Sequence, residues 1–208
     1  MNRTKILFVV ASLMFLPGSA GSSARAVEAE SVRILITYYS RTGHTAALAK
    51  AVAEGARKVG QADVSIKSVG DVKCAELLAA DALIVGSPVY WSNMAGEVKS
   101  FFDRWSTDCQ VLPPAFQMQD KLGAAFVTAG GVSSGKEITL LTILAAMIGN
   151  RMIVLSEGQA LGATATTGEG KLPLDEEALK EGRDLGERVA KVALILKRGR
   201  RTPQKAGD

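Results

Sequence analysis

Ser40-Arg41-Thr42-Gly43-His44-Thr45 places three hydroxyls and a glycine between a run of β-formers, Val32 to Tyr39, and an alanine-rich helical pattern. A strand, a tight turn and a helix in this order aim backbone N–H groups and the positive end of a helix dipole at an anion. The turn has no lysine and lacks the three glycines of a dinucleotide fingerprint. Such a loop suits a phosphate that is held and never reacts, because hydroxyls and amides supply many moderate hydrogen bonds without Mg²⁺. Arg41 can face that charge or solvent. The plainer reading is an ordinary Ser/Thr helix cap. His44 reads as a local loop residue rather than an acid–base group.

A second stretch, "GSPVYWSNMAG" (86–96), stands Tyr90 and Trp91 side by side beyond a strand that Pro88 stiffens. They form an aromatic wall suited to a flat ligand, and Asn93 can meet a polar edge. In extended backbone neighbours point opposite ways, so Tyr90 and Trp91 are expected on different faces. The third, "TAGGVSSGKE" (128–137), has the glycine and lysine spacing of a triphosphate loop, but Glu137 replaces the hydroxyl that would bind magnesium. Gly130, Gly131 and Gly135 instead suit close approach of backbone to a ring edge. A phosphate handle, an aromatic wall and an amide edge together describe flavin mononucleotide (FMN).

Other chemistries have less to work with. A single histidine, His44, disfavours zinc catalysis and is the only partner for a serine nucleophile. The net charge of +4 is concentrated at the ends. Residues 1–26 carry three bases and no acid, and residues 197–208 carry five bases and one acid; 17 bases and 20 acids remain between them. No basic face for nucleic acid is marked on that near-neutral part.

The elements that must position the three stretches alternate along one domain, residues 27–196. Apolar strands are expected at 32–39, 62–68, 82–88, 121–129 and 151–156. Helices are expected at 45–59, 75–80, 94–105 and 136–149, with a last one opened by Asp175-Glu176-Glu177 and ended by Lys197-Arg198-Gly199. The pattern predicts an α/β fold, a doubly wound five-stranded parallel sheet with helices on both faces. All three stretches leave carboxyl ends of strands, where such sheets bind ligands. Cys74 is placed near that rim and Cys109 about 18 Å below it, so two free thiols are expected, and a 74–109 bridge would count against the strand order.

Residues 1–26 have the anatomy of a secretory signal: Arg3 and Lys5, an apolar run from Ile6 to Leu16, then Pro17-Gly18 and Ala24-Arg25-Ala26. Export, to a periplasm, is the expectation; an uncleaved anchor, or a misread start with a cytoplasmic protein, is the plainer alternative. Residues 197–208 read as a basic disordered tail that complements a helix end in solvent or makes weak contact with an anionic membrane surface.

"YYSRTGHTAALAKAVAEGA", "ADALIVGSPVYWSNMAGEVKSFFDRW", "KLGAAFVTAGGVSSGKE" and "LGATATTGEGKLPLDEEAL" resemble the flavodoxin-like NAD(P)H:quinone oxidoreductases of the tryptophan-repressor-binding-protein type. The resemblance spans about residues 32–196. It implies the strand order 2-1-3-4-5, FMN as cofactor, NAD(P)H as transient donor, two-electron transfer to a quinone, and often a tetramer. By matching position, Ser40 to Thr45 would hold the phosphate. Pro88, Val89, Tyr90, Trp91 and Asn93 would hold the ring, and Thr128 to Gly135 its far edge. No catalytic side chain is expected, because hydride transfer needs positioning rather than acid–base help at the reacting carbon. The chain departs from the family in having Gly149-Asn150 where a histidine pair is common, a shorter stretch between Ser156 and Gly162, and the export signal. Two other readings stand beside the enzyme: an electron carrier with no substrate of its own, although carriers tend to be strongly acidic, and a flavin-free binding domain.

Overall fold

The apolar run beginning at Val32 forms a central strand in a computed structural model that describes residues 31–157, 160–168 and 172–201. The expected leader and the tail beyond Arg201 lie outside the described residues. The elements are β1 (Val32–Tyr38), α1 (His44–Arg57), β2 (Ala62–Ser68), α2 (Cys74–Ala79), β3 (Ala82–Tyr90), β4 (Asn93–Met94), α3 (Gly96–Thr107), β5 (Leu122–Ala129), α4 (Lys136–Gly149), β6 (Ile153–Val154), β7 (Ala163–Thr166) and α5 (Glu176–Arg201). Among these helices none is long and apolar enough to cross a membrane.

The sheet runs β2-β1-β3-β5-β6, the expected winding, with β4 paired to β3 and β7 to β5. All pairings are parallel except the short β3–β4 hairpin. Both faces are covered, and the core divides accordingly. Leu48, Val52, Leu185 and Val189 of α1 and α5 pack against Ile34, Ile36 and Ile84 on one face. Leu77, Phe101, Trp105, Ile143 and Met147 of α2, α3 and α4 pack against Leu35, Leu83 and Val85 on the other. Strands buried on both faces read as unbroken apolar runs, which is why these were legible.

The fifth strand position differs from expectation. Instead of one strand over 151–156, β6 pairs only Leu122 and Gly123 of β5, and β7 takes over from Phe126 to Ala129. The chain leaves the sheet between them and re-enters at Gly162, where a Cβ would lie 2.1 Å from the Ala125 carbonyl oxygen. The last helix also runs on past Gly199 to Arg201. Its final turns are tied to the amino edge of the sheet, by Lys197 Nζ on Asp81 Oδ2 at 2.7 Å and by the Arg200 guanidinium on the Asp120 carbonyl. Lys197 and Arg200 thus contact the protein's own sheet.

The two cysteines are bonded, with Cα atoms 5.1 Å apart, so the expectation of free thiols is wrong. Its error lay in putting Cys74 at the carboxyl rim. After Ser68 the chain descends through residues 69–73 before α2 begins, and α2 has only six residues, ~9 Å, to the amino edge where β3 starts. Cys74 therefore sits well below the rim, at the level Cys109 reaches after α3. The bridge and the strand order coexist. It closes a loop of 35 residues, for which chain entropy predicts about 3–4 kcal/mol of stability. Cys74→Ser with Cys109→Ser should lower the unfolding free energy by that amount in urea titrations, and an unchanged midpoint would refute the estimate.

Candidate cofactor site

The three stretches meet because their strands are neighbours: β1, β3 and β5 are adjacent, in register Tyr38 to Gly86 and Pro88 to Thr128. Loop 1 (39–43) leaves β1, the β3–β4 hairpin extends β3, and loop 3 (130–135) leaves β5.

Loop 1 opens α1 with Gly43 as its N-cap, in the left-handed region at φ 93°, and no side chain caps the helix. Ser40, Thr42 and Thr45 are therefore not conventional caps. Ser40 Oγ accepts from the Gly43 amide at 3.2 Å, which shapes the turn, and Thr42 Oγ1 lies 2.9 Å from His44 Nδ1. The first amides of a helix have no intrahelical acceptor, and here no side chain replaces one. His44 is buried and its Nε2 finds no partner among the described residues. Arg41 is exposed. An uncapped helix start and two hydroxyls fit a phosphate, whereas the buried His44 Nε2 has almost no surface with which to meet one.

Thr45 is different. Its hydroxyl is buried 2.8 Å from that of Thr128, so the pair links loop 1 to the end of β5, leaving only the Thr45 amide for an anion. Ala129, the last residue of β5, is buried as well.

The hairpin turns on Trp91 and Ser92, with φ 51° and 58°. Two non-glycine residues with positive φ make the sharp turn that matches strand twist, at a cost of about 1–2 kcal/mol each. Four contacts hold it. Asn93 Oδ1 accepts from the Met94 amide at 2.7 Å and from the Thr142 hydroxyl of α4 at 2.9 Å. Ser87 Oγ accepts from the Ala95 amide at 2.9 Å, behind the turn. Gly135, φ 84°, lies so close that a Cβ there would sit 2.7 Å from that of Ser92. The glycine at 135 thus serves a contact between two loops, and the Asn93 carboxamide oxygen serves the hairpin.

The result is an indole held out at the tip, 101% exposed, beside a half-exposed Tyr90 that meets Tyr39 edge to face at 6.5 Å. Val89 turns instead toward the α3 side of the core, half-buried. Tyr39 bonds through its side chain to Glu97, which keeps the phenol protonated above its ordinary range. Beside it an open cleft of about 660 Å³ runs from Tyr39 to Arg104. Pro88 is half-buried at the strand end, while Gly130 is exposed and Gly131 half-buried in loop 3.

Two features of loop 3 resolve differently from their sequence signals. Lys136, the would-be phosphate lysine, is buried with Nζ 2.8 Å from Thr166 Oγ1, pinning α4 to β7. Gly149-Asn150 ends α4 at the amino edge, opposite the three loops. Residues that sequence reasoning missed are the braces: Ser87, Thr142, Thr166 and Leu172, whose Cδ1 would lie 3.3 Å from a Cβ on Gly43. Only their partners reveal them. Among the described residues no group of three His, Cys, Asp or Glu side chains could hold a metal.

A family model described as NADPH-dependent FMN reductase matches residues 73–167. A flavodoxin from Clostridium saccharobutylicum is 34% identical over 162 residues, 76% of this chain and 96% of its own. An NAD(P)H dehydrogenase (quinone) from Archaeoglobus fulgidus is 33% identical over 195 residues, covering 77% and 97%. Among solved structures, a WrbA-like flavodoxin from Agrobacterium tumefaciens superposes with a TM-score of 0.65 at 27% identity, over 78% of this chain and 98% of that one.

If loop 3 supports the hairpin through Gly135, then Gly135→Ala should destabilise the fold by about 1–3 kcal/mol more than Gly130→Ala, which meets nothing within 4 Å. Equal melting temperatures for the two variants would remove that support.

Proposed function

The chain belongs to the flavodoxin-like family of FMN-binding oxidoreductases, and on that premise we propose that it is an NAD(P)H:quinone oxidoreductase. The observation that carries the proposal is the meeting of an uncapped, glycine-started α1 with a braced hairpin whose indole stands free. The Archaeoglobus relative, named for quinone reduction, supports it over nearly its whole length.

FMN, when bound, supplies two-electron chemistry, accepting a hydride from a nicotinamide nucleotide and passing both electrons to a quinone in ping-pong order. The chain's own residues bind and orient. The amides of Thr42, His44 and Thr45, with the Ser40 and Thr42 hydroxyls, would receive the phosphate at the positive end of α1. Trp91 and Tyr90 would hold the ring, and the backbone of 128–131 would line its edge. Asn93, Thr142 and Gly135 act behind these groups by holding the turn that presents Trp91.

A second reading, an electron carrier, is favoured by the relatives named flavodoxin, at 34% and 31% identity. Export to an oxidising compartment, proposed from the leader, is supported by the Cys74–Cys109 bridge, since structural disulfides are rare in reducing cytosol. Export also favours the carrier, because nicotinamide nucleotides are scarce outside the cytoplasm.

The purified protein should be yellow or take up FMN stoichiometrically, bleach with NADH or NADPH, and recover on adding a quinone. No bleaching by either nucleotide, in a protein that holds FMN, would favour the carrier. A colourless protein that FMN does not titrate would remove both redox readings. Loss of the Thr42 hydroxyl in Thr42→Val should weaken FMN about tenfold, while Trp91→Ala should change the flavin spectrum without altering the melting of the apoprotein.

A further inference from the structure

A threonine hydroxyl has a single hydrogen, and the oxygens of a phosphate only accept. The Thr42 hydroxyl therefore attracts a phosphate only if its hydrogen is free for it. Ser40 meets that condition: its Oγ accepts from the Gly43 amide at 3.2 Å, so its own hydrogen is left for a ligand. For Thr42 the condition rests on His44, the one histidine in the chain, whose Nδ1 lies 2.9 Å from Thr42 Oγ1. Gly43 between them, left-handed at φ 93°, turns the chain so that side chains two residues apart meet. If Nδ1 is bare, Thr42 donates to it and presents lone pairs to the anion. If Nδ1 carries the proton, Thr42 accepts and its hydrogen is freed.

Burial of the ring chooses between these states. His44 is 6% exposed, and its Nε2 is buried with no hydrogen-bond partner among the described residues. A proton on Nε2 would make it a buried donor without an acceptor, the rarer kind of orphan. A proton on Nδ1 places the ring's single N–H on Thr42 and leaves only a lone pair at Nε2. A doubly protonated ring would again bury an unpaired donor, now with a charge. Thr42 itself is exposed, so a ligand can reach its hydroxyl.

We infer that His44 is a positioning residue of the phosphate loop: its Nδ1–H donates to Thr42 Oγ1 and leaves the Thr42 hydroxyl hydrogen for the anion. The inference rests on the FMN reading of this loop. His44 acts through Thr42 and does not itself touch the phosphate. Ser40 and Thr42 then form a matched pair, each accepting from the protein and donating outward. A hydroxyl that accepts one hydrogen bond also donates the next more strongly. An unheld threonine hydroxyl rotates to donate or accept as its surroundings ask. The imidazole removes that freedom and sets the loop for an anion before one arrives.

Nitrogen-15 magnetic resonance of the full, disulfide-bonded chain reads the tautomer directly, because one histidine gives one pair of ring signals. In the FMN-free protein at about pH 9, where an ordinary imidazole is neutral, Nδ1 should carry the proton and Nε2 should be bare. A proton on Nε2 would overturn the assignment. Titration with FMN gives a second readout. His44→Leu should weaken FMN about 2- to 10-fold. His44→Asn, whose amide can donate from the place of Nδ1, should stay within about twofold of the native protein, and neither change should matter further in a Thr42→Val background. Were Nδ1 bare, His44→Leu would release the Thr42 hydroxyl and tighten binding instead. A folded His44→Leu that binds FMN as well or better, or that loses as much affinity without the Thr42 hydroxyl as with it, overturns the proposal. A chain that takes up no FMN removes the functional reading and this role with it, whereas FMN bound beside a bare Nδ1 removes this role alone.

Discussion

The parallel hydrogen bonding of β1, β3 and β5 is the constraint from which the site follows. Neighbouring strands lie about 4.8 Å apart, so three carboxyl ends in one register deliver their turns to a region roughly 10 Å across. Residues 45 and 128, far apart along the chain, thereby come within hydrogen-bonding distance, and their hydroxyls close the floor between two loops. A parallel sheet needs both faces covered, and the helices that cover it start at this same edge. The amino end of α1 and the hairpin before α3 are consequences of one crossover geometry.

Local cost and tertiary support are matched at this edge. The turn at Trp91-Ser92 is unfavourable for both residues, yet it is clamped from α4 by Thr142, from loop 3 by Gly135 and from within by Asn93. The start of α1 is likewise left without a side-chain cap while the rest of the helix is held firmly. Its Val52 carbonyl oxygen lies where a Cβ on Gly186 would stand, 1.9 Å away, so α1 and α5 touch backbone to backbone. A rigid helix can present unsatisfied amides, because its packing rather than its cap keeps it formed.

The two helical layers differ in what they leave outward. The α1–α5 layer ends in ion pairs and ties its last turns to Asp81 and Asp120. Asp81 illustrates the balance: partial burial raises its pKa, but the Lys197 ammonium and the Arg33 amide outweigh that and hold it below the usual carboxylate range. The α2–α4 layer instead carries the Cys74–Cys109 disulfide. That bridge constrains the unfolded chain.

The order of strands and helices, and the loops that leave carboxyl ends, could be read from the chain alone. Parallel strands buried on both faces are apolar runs, and amphipathic helices carry their period in their residues, so both signals are local. Ser40 to Thr45 were recognisable for the same reason. What only the tertiary structure decided are relations between distant residues: Thr45 with Thr128, Gly135 with Ser92, Lys136 with Thr166, and Cys74 with Cys109. The hairpin was invisible because Trp-Ser lacks the Asn-Gly or Asp-Gly signature of such turns. The fifth strand was split because pairing with β5 stops and resumes there. The cysteine pair was misjudged because the depth at which α2 begins depends on the path of residues 69–73, and the length of a connection does not state its direction.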